Sequence, residues 1–228
     1  GKRVLFDNQL REPQQAEKFQ AAARQYGVAV PSMAMSGFFA QSFLTRDNYQ
    51  DLLKDCFQTM KLFGSKVAFL PLGGSGKDWQ QEGCAAYQQM VSRLRTAGEM
   101  AKQEGITIGI RTGMDAKFDK KLLKKVGSSQ IKVYYNFQDA ADHHRDICKE
   151  LRKLGTQRIV QIYASNTDSV NLQEDPEINL PKIRKTLDKM KWSGWLVVER
   201  SRDVKRVRDV KYNFGRNIAY LKQVFQER

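Results

Sequence analysis

The chain has 228 residues, 41% hydrophobic and 28% charged, the balance of an ordinary soluble globular protein long enough to bury a sizeable core. No run of about 20 apolar residues is present, so the sequence holds no membrane-spanning helix. A formal net charge of +14 suits an anionic partner. No aromatic RNA-binding pattern, zinc finger or heptad-bearing basic region accompanies it, which argues against nucleic acid.

In chain order, GKRVLFDNQL opens the sequence without an apolar signal region. A leading Gly also fits a processed end, so cytoplasm and, after loss of a leader, periplasm both stay open. KRVLFD reads as a short edge strand at most. PQQAEKFQAAARQYG reads as a helix with Pro13 in its first turn, and YGVAVPSM as the strand that follows. In DNYQDLLKDCFQTMKLFG, residues Leu52, Leu53, Cys56, Phe57, Met60 and Phe63 keep helical spacing ahead of the strand in FGSKVAFLPL. The loop LPLGGSGKDW is Gly-rich, but a P-loop ending at Gly76-Lys77 needs Gly at 71 and Ser or Thr at 78. The chain has Pro71 and Asp78, and the loop reads as a tight turn. YQQMVSRLRTAGEMAKQEG repeats the helical spacing with Tyr87, Met90, Val91, Leu94 and Ala101 before the strand EGITIGI. VGSSQIKVYYNF, LGTQRIVQIYA and SGWLVVERS supply three more strands. KFDKKLLKKVG, PKIRKTLDKMK and RSRDVKRVRDVK carry much of the basic charge around an apolar stripe, the pattern of solvated helix faces.

Six times, then, a helical pattern ends near Gly and a β-branched run follows, with strands at intervals of roughly 25–40 residues. Such alternation means parallel βαβ units, and no linker divides residues 1–228, which read as one domain. A nucleotide-binding doubly wound sheet would show a Gly-rich turn after its first strand. A barrel instead places its chemistry on the last residues of many strands. Arg111, Asn136, Tyr163 and Glu199 stand at such positions, so the pattern favours a TIM-type (β/α)n barrel. Glu199 ends a run that reads as buried, where a carboxylate is costly unless paired. Cys56, Cys84 and Cys148 are far apart, and only His143 and His144 could join them, so they read as packing thiols and not as a zinc site.

From about residue 7 to the C-terminus the chain resembles the sugar phosphate isomerase/epimerase family, the xylose isomerase-like TIM barrels. The resemblance is most specific in VGSSQIKVYYNFQDA, KELRKLGTQRIVQIYASNTD and LPKIRKTLDKMKWSGWLVVERSRD. It implies a divalent metal such as Mn, Mg, Co or Zn held by strand-end Glu, Asp, His and Glu. Metal charge stabilises an enediolate while the two Glu side chains move protons beside a carbonyl. Carried over residue by residue, those positions fall on Arg111, Asn136, Tyr163 and Glu199, and only Glu199 keeps its type. Formal site charge goes from about −3 to about 0, and Arg cannot be a ligand. The expectation is therefore no metal cofactor, with Arg111 taking over the metal's charge beside Glu199. A family barrel also opens with a strand, a helix and a second strand that this sequence lacks. Six βα units are expected, either as a fragment of a longer product or as an open barrel whose edges associate in a homodimer.

Other polar residues near the expected barrel mouth are substrate-contact candidates: His143 in DAADHHRDI, and Asn166 and Asp168 in SNTDS. Trp79, Trp192 and Trp195 read as packing before they read as sugar platforms. Three functions stand open. The first is a degenerate isomerase fold that binds a sugar or sugar phosphate without turnover by the family route. The second is an isomerase or epimerase with a rebuilt, metal-independent site around Glu199, and the third a non-catalytic binder of phosphate or nucleic acid. The zinc-dependent endonuclease branch of the superfamily needs a ligand cluster that two histidines do not supply.

Overall fold

The computed structural model describes residues 5–72 and 78–227. The Gly76-Lys77 turn and most of KRV lie outside the described residues, and residues 5–7 are not strand. The chain divides into two compact units, Gly1–Thr112 with Leu122–Lys132, and Gly113–Lys121 with Val133–Arg228. Each has its own parallel strands.

The first unit runs through α1 (Pro13–Tyr26), β1 (Ser32–Ala34), α2 (Gly37–Ala40), α3 (Tyr49–Phe63), β2 (Val67–Pro71), α4 (Ala85–Gln103) and β3 (Thr107–Arg111). Its strands lie in the order β1-β2-β3, all parallel, with Met33 opposite Ala68 and Leu70 opposite Ile110. Ala68, Phe69, Leu70, Ile108, Gly109 and Ile110 are buried, as expected of strands covered on both faces. Helix α3 buries Leu52, Leu53, Cys56, Phe57 and Met60 and ends on Gly64 at φ 66°, a conformation that costs a side-chain-bearing residue about 1–2 kcal/mol. Strand β1 starts later than the run YGVAVPSM implies. Pro31 has no N–H to give a ladder, and Val28 is 58% exposed, so pairing begins at Ser32.

The second unit follows with α5 (Ala116–Val126), β4 (Ile131–Asn136), α6 (Phe137–Ala141), α7 (Ile147–Leu154), β5 (Ile159–Tyr163), α8 (Leu180–Met190), β6 (Leu196–Val197) and α9 (Val210–Phe225). Here the order is β4-β5-β6, again parallel. Helix α8 buries Leu180, Ile183 and Leu187 and exposes Lys182, Lys185 and Lys189, so that part of the positive charge is a solvated face. The helix stops on Lys191 at φ 53°, not on the glycine of SGW. Gly194 has another reason: a Cβ there would meet the Trp192 ring at 2.5 Å. The run LVV was expected to be buried, yet Leu196, Val197 and Val198 are half-buried and Glu199 is exposed. A strand of two residues gives little cover, and neighbouring Trp195 is itself 52% exposed. Six βα repeats, the α/β barrel-type pattern, are present as the sequence implies.

Candidate functional site at the strand ends

Alternation along β4 and β5 decides what each side chain meets. Register sets Tyr134 opposite Gln161 and Asn136 opposite Tyr163. These four side chains therefore share one face of the sheet, while Val133, Tyr135 and Ile162 share the other. On the first face Tyr134 and Tyr163 stack, ring centroids 4.5 Å apart. Asn136 is 2% exposed and closes the strand by capping α6, its Oδ1 accepting the Gln138 N–H at 2.9 Å. Its Nδ2 finds no hydrogen-bond partner among the described residues, and neither does either amide atom of the fully buried Gln161. Each such group costs about 1–3 kcal/mol when left unpaired.

The opposite face is fully engaged. Tyr135 donates its hydroxyl to Glu150 Oε2 at 2.9 Å, and Glu150 Oε1 accepts the Ala116 N–H at 3.2 Å. Arg145 Nε lies 3.2 Å from the same oxygen, and its Nη2 donates to the carbonyl of Asp139 at 2.7 Å. Burial, and then the Glu150 charge, pushes the Tyr135 phenol far above its ordinary pKa. This cluster ties β4 to the start of α7 and fixes the direction of Asn136.

The segment after β6 is held by a network of buried amides. Asn213 Oδ1 accepts from Asn171 Nδ2 at 3.0 Å and from the Asp203 N–H at 2.8 Å, and its Nδ2 donates to the carbonyls of Arg206 and Asp209. Asn217 receives the Leu172 N–H and donates to the Ser201 carbonyl, both at 2.8 Å. Ser201, fully buried at φ 68°, accepts the Asn166 N–H on its hydroxyl at 2.7 Å. A non-glycine residue in that conformation is strained, and the network holds it there.

Of the residues singled out from sequence, Arg111 ends β3, Asn136 ends β4 and Tyr163 ends β5, as expected, while Glu199 lies two residues past β6. Arg111 belongs to the first unit and the others to the second. Asn166 spends its amide on Glu177 Oε2 at 2.9 Å and on the Thr167 N–H. Asp168 accepts from Arg202 Nε at 3.0 Å, from Arg202 Nη2 and backbone N–H, and from Arg200 at 3.4 Å. The Arg202 hydrogen bonds hold the Asp168 carboxyl below the usual range, against the opposing effect of burial. His143 is exposed, its Nδ1 2.9 Å from the Asp139 carbonyl. Gln161 was missed by sequence reasoning, although a lone Gln inside RIVQIYA is a signal. Asn213 and Asn217, four residues apart on α9, were missed as well.

The chemistry of the strand-end set does not fit a divalent cation. Asn136 presents an N–H donor where the resemblance requires an anion, Tyr163 is a packed phenol, and a guanidinium cannot ligate. Among the described residues no group of three or more His, Cys, Asp and Glu side chains could hold a metal ion.

Comparison with known proteins agrees with this architecture. The family model described as xylose isomerase-like TIM barrel matches residues 4–224. A xylose isomerase domain protein from Planctomyces limnophilus superposes with a TM-score of 0.71 at 12% identity, over 94% of this chain and 84% of that one. D-psicose 3-epimerase from Clostridium cellulolyticum H10, solved with D-tagatose, gives 0.73 at 13% identity over 93% and 84%. A xylose isomerase-like TIM barrel protein from Mycobacterium smegmatis, solved with magnesium, gives 0.70 at 16% over 93% and 78%. No curated protein sequence matches. With the family match running nearly end to end and the βα repeat beneath it, this chain belongs to the xylose isomerase-like TIM barrels.

Proposed function

We propose that the protein binds a sugar at the C-terminal ends of β4 and β5 and the segment after β6, and that it does so without a resident divalent metal. Asn136 and Tyr163 meet the ligand, and Glu199 accepts a hydrogen bond from it. His143, Asn166 and Asp168 border the same end of the second unit. The observation that carries this reading is the unpartnered Nδ2 of Asn136, buried at a strand end where relatives of this fold act on sugars. A buried N–H donor suits a hydroxyl or carbonyl oxygen and repels a cation.

Loss of the family's metal-dependent proton transfer follows from the same set. Moving a proton beside a carbonyl needs a placed base and a charge to stabilise the enediolate. Of the four family positions only Glu199 is a carboxylate, and it is exposed. The test is incubation with D-tagatose or D-fructose in deuterated water, followed by NMR of the carbon-bound protons. No incorporation at the carbon beside the carbonyl is expected. Incorporation that disappears in Glu199→Gln would overturn the non-catalytic reading and identify a rebuilt isomerase.

A further inference from the structure

We infer that Gln161, one layer below the strand ends, is a ligand-binding residue, and that with Asn136 it selects an unphosphorylated, hydroxyl-bearing end of the sugar. The inference rests on the sugar-binding reading and names the chemistry that its inner end accepts. Gln161 is fully buried, and neither its Nε2 nor its Oε1 has a partner among the described residues. It lies on the face of β5 that carries Tyr163, opposite Tyr134 of β4, on the same face as the unpartnered Nδ2 of Asn136.

The other buried amides of this unit make the contrast. Asn166, Asn171, Asn213 and Asn217 all hydrogen-bond within the protein. Unpaired amide atoms are confined, among these residues, to the one face that carries the strand-end set. Apolar side chains of the same shape would remove the desolvation cost at Gln161, so its amide needs a partner from outside the chain to offset it. Together the two amides offer N–H donors on both side chains and an acceptor on Gln161. A hydroxyl group answers both, since it donates one hydrogen and accepts at its oxygen. An ionised phosphate only accepts, and would leave Gln161 Oε1 facing an anion. The basic side chains around Asp168, which suit phosphate better, are already spent on that carboxylate.

The test compares wild type with Gln161→Leu by thermal melts without ligand and by calorimetric titration with D-tagatose and D-tagatose 6-phosphate. The expected result is a higher melting temperature for ligand-free Gln161→Leu and more than about tenfold weaker binding of D-tagatose, because an unpaired polar site discriminates strongly against lost hydrogen bonds. Wild type should bind the free sugar more tightly than its phosphate. Unchanged D-tagatose affinity in the variant, a lower melting temperature without ligand, or preference for the phosphate would each overturn the inference while leaving sugar binding in place. Wild type that binds neither compound would overturn the sugar-binding reading itself, and the ligand assigned to Gln161 with it.

Discussion

Tyr163 lies against Tyr134, the ring centroids 4.5 Å apart and the planes inclined by 33°. The contact runs diagonally between β4 and β5, since Tyr163 stands opposite Asn136 and Tyr134 opposite Gln161. Both rings are buried, at 8% and 1% exposure, so the phenol that replaces the family's imidazole is part of the packing. An aromatic pair of this kind adds about 0.5–1.5 kcal/mol beyond the area it buries.

Tyr163→His is therefore expected to lower stability by about 1–3 kcal/mol through lost packing and contact area. It should gain no metal site, because one imidazole beside Asn136 is not a ligand set. Thermal melts with and without manganese check both points, and a clear manganese-dependent rise in melting temperature would contradict the second.

Asn213 serves four hydrogen bonds at 0% exposure. Asn213→Ala leaves the Asp203 N–H and two carbonyls without that partner, at about 3 kcal/mol. Denaturant unfolding measures the loss. Hydrogen exchange should show faster opening between residues 200 and 209 than in β4.

Asp168 gives a pH-dependent expectation. Its folded pKa is depressed by Arg202, so its contribution is present above the unfolded value of about 3.9 and is lost as pH falls through the folded value. Asp168→Asn should cost about 1–3 kcal/mol at neutral pH, and the gap from wild type should close in acid. Urea midpoints for both proteins at pH 7 and pH 3 provide the check, and a gap that widens in acid would reverse the assignment.

The three thiols should differ in reactivity. Burial, with a further push from Asp55, raises the Cys56 thiol to about 12, and Cys148 is buried as well, whereas Cys84 is half-buried. In the native protein one thiol is expected to react quickly with a disulfide reagent, and two only as the protein opens. Mass mapping of the first adduct to Cys56 would contradict this.

How much of this was legible in the sequence follows from the range of each interaction. The βα repeat was readable because a helix of 3.6-residue period ending at Gly, followed by a β-branched run, has few other solutions. Helix α3 buries what its spacing announced, with the exception of Phe63, which is half-buried. The start of β1 was misplaced because Pro31 acts on hydrogen bonding and not on hydrophobicity. The exposure of Glu199 was missed because LVV carries the same signal whether its strand is well or thinly covered. Asn213 was invisible because its amide partner, Asn171, lies 42 residues away. Gln161 was hidden by strand alternation: only register with β4 shows that it shares a face with Asn136.

Sugar binding without a metal is the central claim, and titration calorimetry of D-tagatose into protein treated with EDTA addresses it most directly. The account predicts saturable binding whose affinity is unchanged when manganese or magnesium is returned in excess, because the buried donor of Asn136 and the packed ring of Tyr163 leave a cation no ligand set. Binding that appears only on return of the divalent ion, with about one ion taken up per chain, would contradict it.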